Sequence, residues 1–304
     1  MSQIINYGSC CIDHVFQVPH FVRAGETLSS TGYAIFPGGK GLNQSIAIAE
    51  AGCAVTHVGA VGEDGRWLAE LMTARGVDIT HLNLTDTPTG QAILQIDPQG
   101  ENAIFISGGA NLAAHEHLID AALNQATGDE IFLIQNETSG NEAAIRQAKA
   151  SGLQVAFNMA PMNAAAQALP LALIDYFIIN ETEGEALTGK TDPAEICDAV
   201  LGQYPKSAVV LTLGQSGVLF RSAEHNLSQP AYSVEAVDTT GAGDTFTGYF
   251  LATLMKTKQV DLALQTAAAA AALSVTQPGA ATSIPTLQAV HQFLATRASS
   301  LLWG

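Results

Sequence analysis

Residues 238–248 read Asp238-Thr239-Thr240-Gly241-Ala242-Gly243-Asp244-Thr245-Phe246-Thr247-Gly248. Small residues followed by helix-spaced Phe246, Tyr249, Phe250 and Leu254 predict a turn that opens a helix, with a strand over 231–237 before it. The first N–H groups of a helix have no partner inside it and lie at the positive end of its dipole, so such an entrance takes up an anion. Glycines let the main chain approach a phosphate closely. Asp244 is out of place for holding an anion, but it suits the removal of a proton from a hydroxyl that attacks one. The plainer account is a helix cap. Two common phosphate motifs do not fit. The dinucleotide pattern needs glycine where Phe246 stands, and the P-loop needs Ser or Thr after Gly39-Lys40, where Gly41 stands.

Gly38-Gly39-Lys40-Gly41-Leu42-Asn43 is a second glycine-rich helix entrance. Lys40 offers a point charge and Asn43 a donor and an acceptor for a neutral hydroxyl; the alternative is a solvated lysine beside a helix start. Asp13 falls in the middle of an expected strand, where a carboxylate is costly unless it is paired or turned toward a polar ligand. A sugar diol would suit it, and so would an exposed edge position. Asn180-Glu181-Thr182-Glu183 starts where a strand ends, which fits a capping box or a carboxylate reaching a metal–phosphate complex, and Glu137 poses a similar choice. Thr212-Leu213-Gly214-Gln215-Ser216-Gly217 is a tight turn or the border of a nucleotide. The eight histidines form no metal set; His115 and His117 are two apart and point to different helix faces, so surface positions are expected.

These residues fall at the ends of regularly ordered elements. Strands are expected over 3–7, 12–18, 28–36 and 54–61. A turn over 37–41 opens a helix closed by Gly52, and a further helix covers 65–75. Residues 91–96 and 102–107 read as an antiparallel hairpin joined by Asp97-Pro98-Gln99-Gly100. With 12–18 and 28–36 they predict a small separate sheet, a lid formed by about 12–36 and 88–107 within one domain over 1–304. From 113 onward, helices over 113–125, 141–151, 164–173 and 192–204 alternate with apolar strands over 131–135, 154–158, 176–180 and 208–213. Helices follow over 243–257 and 260–275, then a loop over 277–284 and a last helix from Thr286. The fold class is therefore α/β, a doubly wound, mostly parallel sheet with a small β-sheet lid. Ligands of such sheets lie beyond the carboxyl ends of the strands, which singles out Glu137, Asn158, Asn180, Thr212 and Asp238.

Composition narrows the partners. The 304 residues are 47% hydrophobic, with 12 Lys+Arg against 28 Asp+Glu and a formal net charge of −16. That charge repels a nucleic-acid backbone, so the anion must be held locally. No apolar run is long enough to span a membrane, and the start shows no basic, apolar leader. Cys10, Cys11, Cys53 and Cys197 form no CxxC pair, which suits a reduced, cytoplasmic setting.

Over essentially its whole length the chain resembles the ribokinase-like (PfkB-type) carbohydrate kinases. Gly38-Gly39-Lys40-Gly41-x-Asn43 is similar to the first signature of that family, residues 238–248 to the second, and Asn180-x-x-Glu183 to its Asn-x-x-Glu motif. Gly8-Ser9, Asp13-His14, Gly100-Glu101-Asn102, Gly109-Ala110-Asn111 and Thr276 to Pro285 follow in the family's order. The resemblance implies an ATP-dependent kinase in which Asp244 is the general base on a primary hydroxyl, with Gly241, Ala242 and Gly243 as the anion hole. It assigns Asp13, Cys11, Gly38, Gly39, Lys40, Asn43 and Glu137 to the sugar, and Asn180, Thr212, Gly214, Gln215, Gly217, Gly243 and Ala268 to ATP. It gives Glu183 to Mg²⁺ through water, and Asp238, Thr240, Ser274, Gln277, Gly279 and Ser283 to an activating K⁺. It also implies a homodimer built through the lid.

Two positions depart from the family pattern. Cys11 stands two residues before Asp13 where an asparagine is usual, and Ala268 replaces a polar residue beside adenine. The lid segments 12–18, 28–36 and 88–107 contain no Lys or Arg, with only Arg23 between the first two, so an unphosphorylated acceptor is expected, D-ribose first. The alternatives are another pentose, a hexose or a nucleoside, or a sugar- or nucleotide-binding protein without catalysis, for which Asp244 would have no use.

Overall fold

A computed structural model describes residues 4–113 and 115–301. In chain order its strands and helices are β1 (Ile4–Tyr7), β2 (Cys11–Gln17), β3 (Gly32–Gly38), α1 (Lys40–Glu50), β4 (Val55–Gly62), α2 (Arg66–Ala74), β5 (Asp78–Thr85), β6 (Gly90–Ile96), β7 (Asn102–Ser107) and α3 (Glu116–Leu123). Then come β8 (Ile131–Gln135), α4 (Asn141–Ala150), β9 (Gln154–Asn158), α5 (Ala164–Gln167), β10 (Tyr176–Asn180), α6 (Glu181–Thr188), α7 (Pro193–Gln203) and β11 (Ala208–Thr212). The last are β12 (Val218–Arg221), β13 (Asn226–Gln229), α8 (Ala242–Thr257), α9 (Val260–Ser274) and α10 (Leu287–Leu301).

One sheet runs in the order β13-β12-β11-β10-β9-β8-β1-β4-β5. It is parallel from β11 to β5, and β12 and β13 close one edge antiparallel. Both faces are covered, and the period-2 alternation divides each strand between two cores. Ile131 and Leu133 of β8 join the core beneath α1, α8 and α9, whereas Phe132 and Ile134 join the one beneath α3, α4 and α7. Fully burying a side chain such as Phe157 or Phe250 stabilises the fold by about 1.5–3 kcal/mol. β4 and β5 lie on one side of β1 and β8 on the other, so the strand order reverses there and opens a crevice at the carboxyl ends. Ser9 follows β1 and Glu137 follows β8, and their side chains meet at 2.5 Å.

A second sheet has the order β3-β2-β6-β7. β2 pairs antiparallel with β3 and parallel with β6, and β6–β7 is the expected hairpin. Asp13 therefore sits on an inner strand rather than at an edge.

Several expectations are corrected. No strand forms over 231–237; the last strand before the motif is Asn226–Gln229, after which Pro230 cannot donate to a ladder. Residues 237 and 238 instead donate their amides to the Val275 carbonyl at 2.7 and 3.1 Å. The strand expected at 28–36 is Gly32–Gly38, so Pro37 and Gly38 belong to it rather than to a turn; β3 is an edge strand and tolerates proline. The helix expected over 164–173 stops at Gln167, before Pro170. β5, absent from the sequence reading, completes the far edge of the large sheet. His57, His81 and His115 are buried rather than on the surface. Among the described residues no helix is long and apolar enough to cross a membrane.

Candidate active site

Two helix entrances converge at the crevice because α1 and α8 pack without a side chain between them. A Cβ on Gly248 would collide with the Ala47 side chain and the main chain of residues 44 and 48. One turn earlier on each helix, Asp244 of α8 therefore meets Asn43 and Gln44 of α1. Asn43 Nδ2 donates to Asp244 Oδ2 at 3.0 Å, and Gln44 Nε2 donates to Oδ1 at 2.8 Å. Asp244 is 7% exposed, so the carboxylate faces inward beside the opening of its own helix. No side chain caps α8; Gly241 is its N-cap residue, and the Ala242 amide reaches back to the Thr239 carbonyl at 3.3 Å. Asp244 is thus not the helix cap.

Lys40 opens α1, and its ammonium is held more basic than usual, first by Asp244, against the effect of burial, with further support from Glu137 and Glu183. Glu137 Oε2 accepts from the Lys40 amide at 3.0 Å as well as from Ser9 Oγ. The Asp13 carboxylate lies directly over Gly38, where a Cβ would strike it. Burial pushes its pKa up to about 7, with the negative charges of Glu137 and Asp244 adding to the effect. Cys11 is buried beside it, and burial followed by the charges of Glu137 and Asp13 holds its thiol well above the usual range. Asn111 braces this corner, giving its amide to the Cys10 carbonyl at 2.9 Å and accepting from the Cys10 amide at 2.9 Å. Asn43 Oδ1 is buried without a partner among the described residues, so it remains available to a hydroxyl.

Asn180 and Glu183 do form a capping box, with Asn180 Oδ1 accepting from the Glu183 amide at 2.8 Å and Glu183 Oε2 accepting from the Asn180 amide at 3.0 Å. Glu183 also belongs to the charge cluster. Burial raises its pKa and Asp244 adds to this, while the Asn180 hydrogen bond and Lys40 oppose it. Thr212 is the register partner of Asn180 on the next strand. Gly214–Ser216 form a short 3-10 turn between β11 and β12, and Ala268 is buried in α9, so these nucleotide candidates lie on separate elements from the carboxylates. Asp238 Oδ1 accepts from the Thr240 amide at 2.9 Å and Oδ2 from the Gly279 amide at 2.8 Å, which binds the 238–241 turn to the 275–283 loop.

Ser9, Gln44, Asn111 and Gln135 are site-region residues to which the sequence reading gave no role. Gln44 adjoins Asn43 at the glycine-rich entrance of residues 38–43, a usable signal; Gln135 lies two residues before Glu137 at the end of β8.

A paired-helix entrance with a buried carboxylate, a half-buried cation and a polar rim suits phosphoryl transfer to a hydroxyl, and a comparison with known proteins agrees. Residues 1–287 match the pfkB family carbohydrate kinase. The chain belongs to the pfkB family of carbohydrate kinases. This pfkB-family chain is 38% identical to the ribokinase of Haemophilus influenzae over 300 residues, covering 94% of this chain and 96% of the relative. Ribokinase from Thermotoga maritima superposes with a TM-score of 0.87 at 34% identity, covering 97% and 100% of the two chains. Arabidopsis thaliana ribokinase, solved in complex with ribose and ATP, superposes at 0.84 with 29% identity, covering 97% and 99%.

Proposed function

We infer that the chain is a ribokinase-type sugar kinase, transferring the γ-phosphoryl group of ATP to the primary hydroxyl of D-ribose. The observation that carries this reading is the Asp244 carboxylate, buried at the opening of α8 and held by two amides of α1. Asp244 takes the proton of the attacking hydroxyl while the amides at Gly241, Ala242 and Gly243 receive the charge of the transferred group. Asp13, Glu137, Lys40 and Asn43 hold the sugar over Gly38 and Gly39, beside Cys11. Asn180, Thr212, Gly214, Gln215, Gly217 and Ala268 border the nucleotide. β2, β3, β6 and β7 carry no Lys or Arg, which favours an acceptor without a phosphate. The small sheet acts as a lid, and its exposed Tyr33, Ile35, Ile104, Phe105 and Ile106 suit burial against a second copy in a homodimer. Four buried cysteines, none joined in a disulfide among the described residues, suit a reducing cytoplasm.

A divalent ion fits this donor set only together with a phosphate. Among the described residues no three His, Cys, Asp or Glu side chains gather to hold a metal, and Glu183 offers a single carboxylate, as Mg²⁺ bound mainly by water and phosphates requires. When bound, Mg²⁺ would neutralise charge on the phosphates. The joined 238–241 and 274–283 segments supply carboxylate, carbonyl and hydroxyl oxygens from Asp238, Thr240, Ser274, Gln277, Gly279 and Ser283, hard donors that suit K⁺. Because this loop packs on Gly241, K⁺ is expected to raise kcat over Na⁺ at equal ionic strength. Equal rates in the two salts would remove the cation assignment.

A coupled assay of ATP turnover with ribose, other pentoses, hexoses and nucleosides tests the reaction; no turnover with any neutral sugar contradicts it. Within that panel Cys11→Asn is expected to improve kcat/KM for ribose by about fivefold to a hundredfold, the worth of one polar contact that a thiol makes poorly. No gain would favour a different acceptor.

A further inference from the structure

A row of buried amides runs from Asp244 into the core behind β1. Gln44 Nε2 donates to Asp244 at 2.8 Å, and Gln135 Nε2 donates to Gln44 Oε1 at 2.8 Å and to Asn6 Oδ1 at 2.9 Å. Asn6 Nδ2 donates to the Gly41 carbonyl at 2.9 Å and to Ser45 Oγ at 2.8 Å. Ser45 Oγ lies 2.8 Å from His57 Nδ1, and His57 Nε2 lies 3.5 Å from Cys10 Sγ. All of these side chains are buried. The Ser45–His57–Cys10 end has the composition of a nucleophilic set, but it is shut off from solvent. Burial pushes the thiol up to about 12 and the imidazole down to about 4, so neither is reactive near neutrality.

Its use is orientational. The Gly41 carbonyl can only accept, so the NH2 group of Asn6 turns to it and to Ser45 Oγ, whose own proton is left for Nδ1 of a neutral His57. Asn6 must then present Oδ1 to Gln135, whose two amide protons go to Asn6 and Gln44. That leaves the NH2 group of Gln44 toward Asp244. Turned over, Gln44 would set an oxygen against a carboxylate oxygen and lose the bond from Gln135. Asn43 fixes Oδ2 and Gln44 fixes Oδ1, so the carboxylate cannot swing.

We propose that Gln44 is a positioning residue for Asp244, kept in its working orientation by Gln135 and Asn6. The inference rests on Asp244 being the base. Lys40, Asp13 and Glu183, the charged groups that act electrostatically with Asp244, lie on other elements or side chains and are left in place by the changes below.

Gln44→Leu is expected to lower kcat by roughly a hundredfold, while the ribose KM stays within about threefold. Gln135→Leu, two side chains from the reaction, should act in the same direction on the order of tenfold, and the double variant should be no worse than Gln44→Leu alone. Additive losses, a ribose KM that rises as much as kcat falls, or wild-type kcat in both single variants would overturn the proposal. Should Gln135→Leu fail to fold, Gln44→Glu decides: an acceptor against the carboxylate must cost more than leucine does, and an equal or smaller loss is contradictory. Asp244→Asn separates the two readings. Retained turnover there removes the base itself, whereas an inactive Asp244→Asn beside fully active Gln44 variants removes only this inference.

Discussion

Asp244→Asn is expected to lower kcat with ribose by about a thousandfold to ten-thousandfold, the upper range for removal of a general base. The ribose and ATP KM values should change by less than about threefold, because asparagine keeps the size of the side chain and removes only its capacity to accept a proton. The structure makes this substitution informative. Asp244 is buried between the Asn43 and Gln44 amides and beside Lys40, so no second carboxylate can take over its position without moving α1 against α8. Coupled-assay kinetics supply the measurement, and a kcat within tenfold of wild type would contradict the mechanism.

Asp13→Asn is expected to move binding and stability in opposite directions. A carboxylate gripping two hydroxyls contributes about 1.5–3 kcal/mol per bond, so its loss should raise the ribose KM roughly a hundredfold. The same carboxylate is a burden to the empty fold. Its folded-state pKa of about 7 lies above the ordinary value of 3.8, chiefly through burial. Between those values the folded state binds the additional proton, so ionising Asp13 withdraws stability as pH rises through that window. Asparagine has no charge to bury. The variant should therefore melt at a higher temperature than wild type at about pH 8, with the difference shrinking as pH falls toward about 4. In wild type the ribose KM should fall as pH rises through about 7 and the carboxylate forms, while the asparagine variant stays flat. A variant that is less stable at high pH, or a wild-type KM insensitive to pH, would show that Asp13 is not the strained sugar ligand.

Much of this arrangement was legible in the sequence, for reasons tied to particular residues. The uniformly apolar β8 to β11 announced a sheet covered on both faces, and Asp97-Pro98-Gln99-Gly100 announced the hairpin of the small sheet. The glycine-rich entrances, together with Asp13, Glu137 and Asn180-x-x-Glu183, located the charged cluster, because glycine and buried carboxylates are costly unless close approach or a ligand requires them. Local pattern was weaker where tertiary context decided the outcome. The segment 231–237 alternates like a strand but has no ladder to join once β12 and β13 have closed the edge. β5 was passed over because its Thr, His and Asn residues dilute the apolar signal of an edge strand. Gln44, Gln135, Asn6 and His57 gain their meaning only from one another. They are distant in the chain, and a polar residue in an otherwise apolar helix or strand does not reveal which partner satisfies it.

The central claim is that a sugar hydroxyl sits between the Asp244 carboxylate and the main-chain amides that open α8. A crystal structure of the protein with ribose and a non-hydrolysable ATP analogue tests it most directly. The account predicts the primary hydroxyl within about 3 Å of Asp244, the ring hydroxyls on Asp13 and the terminal phosphate against residues 241–243. A sugar bound with that hydroxyl turned away from Asp244, or seated away from the crevice at the carboxyl ends of the large sheet, would contradict it.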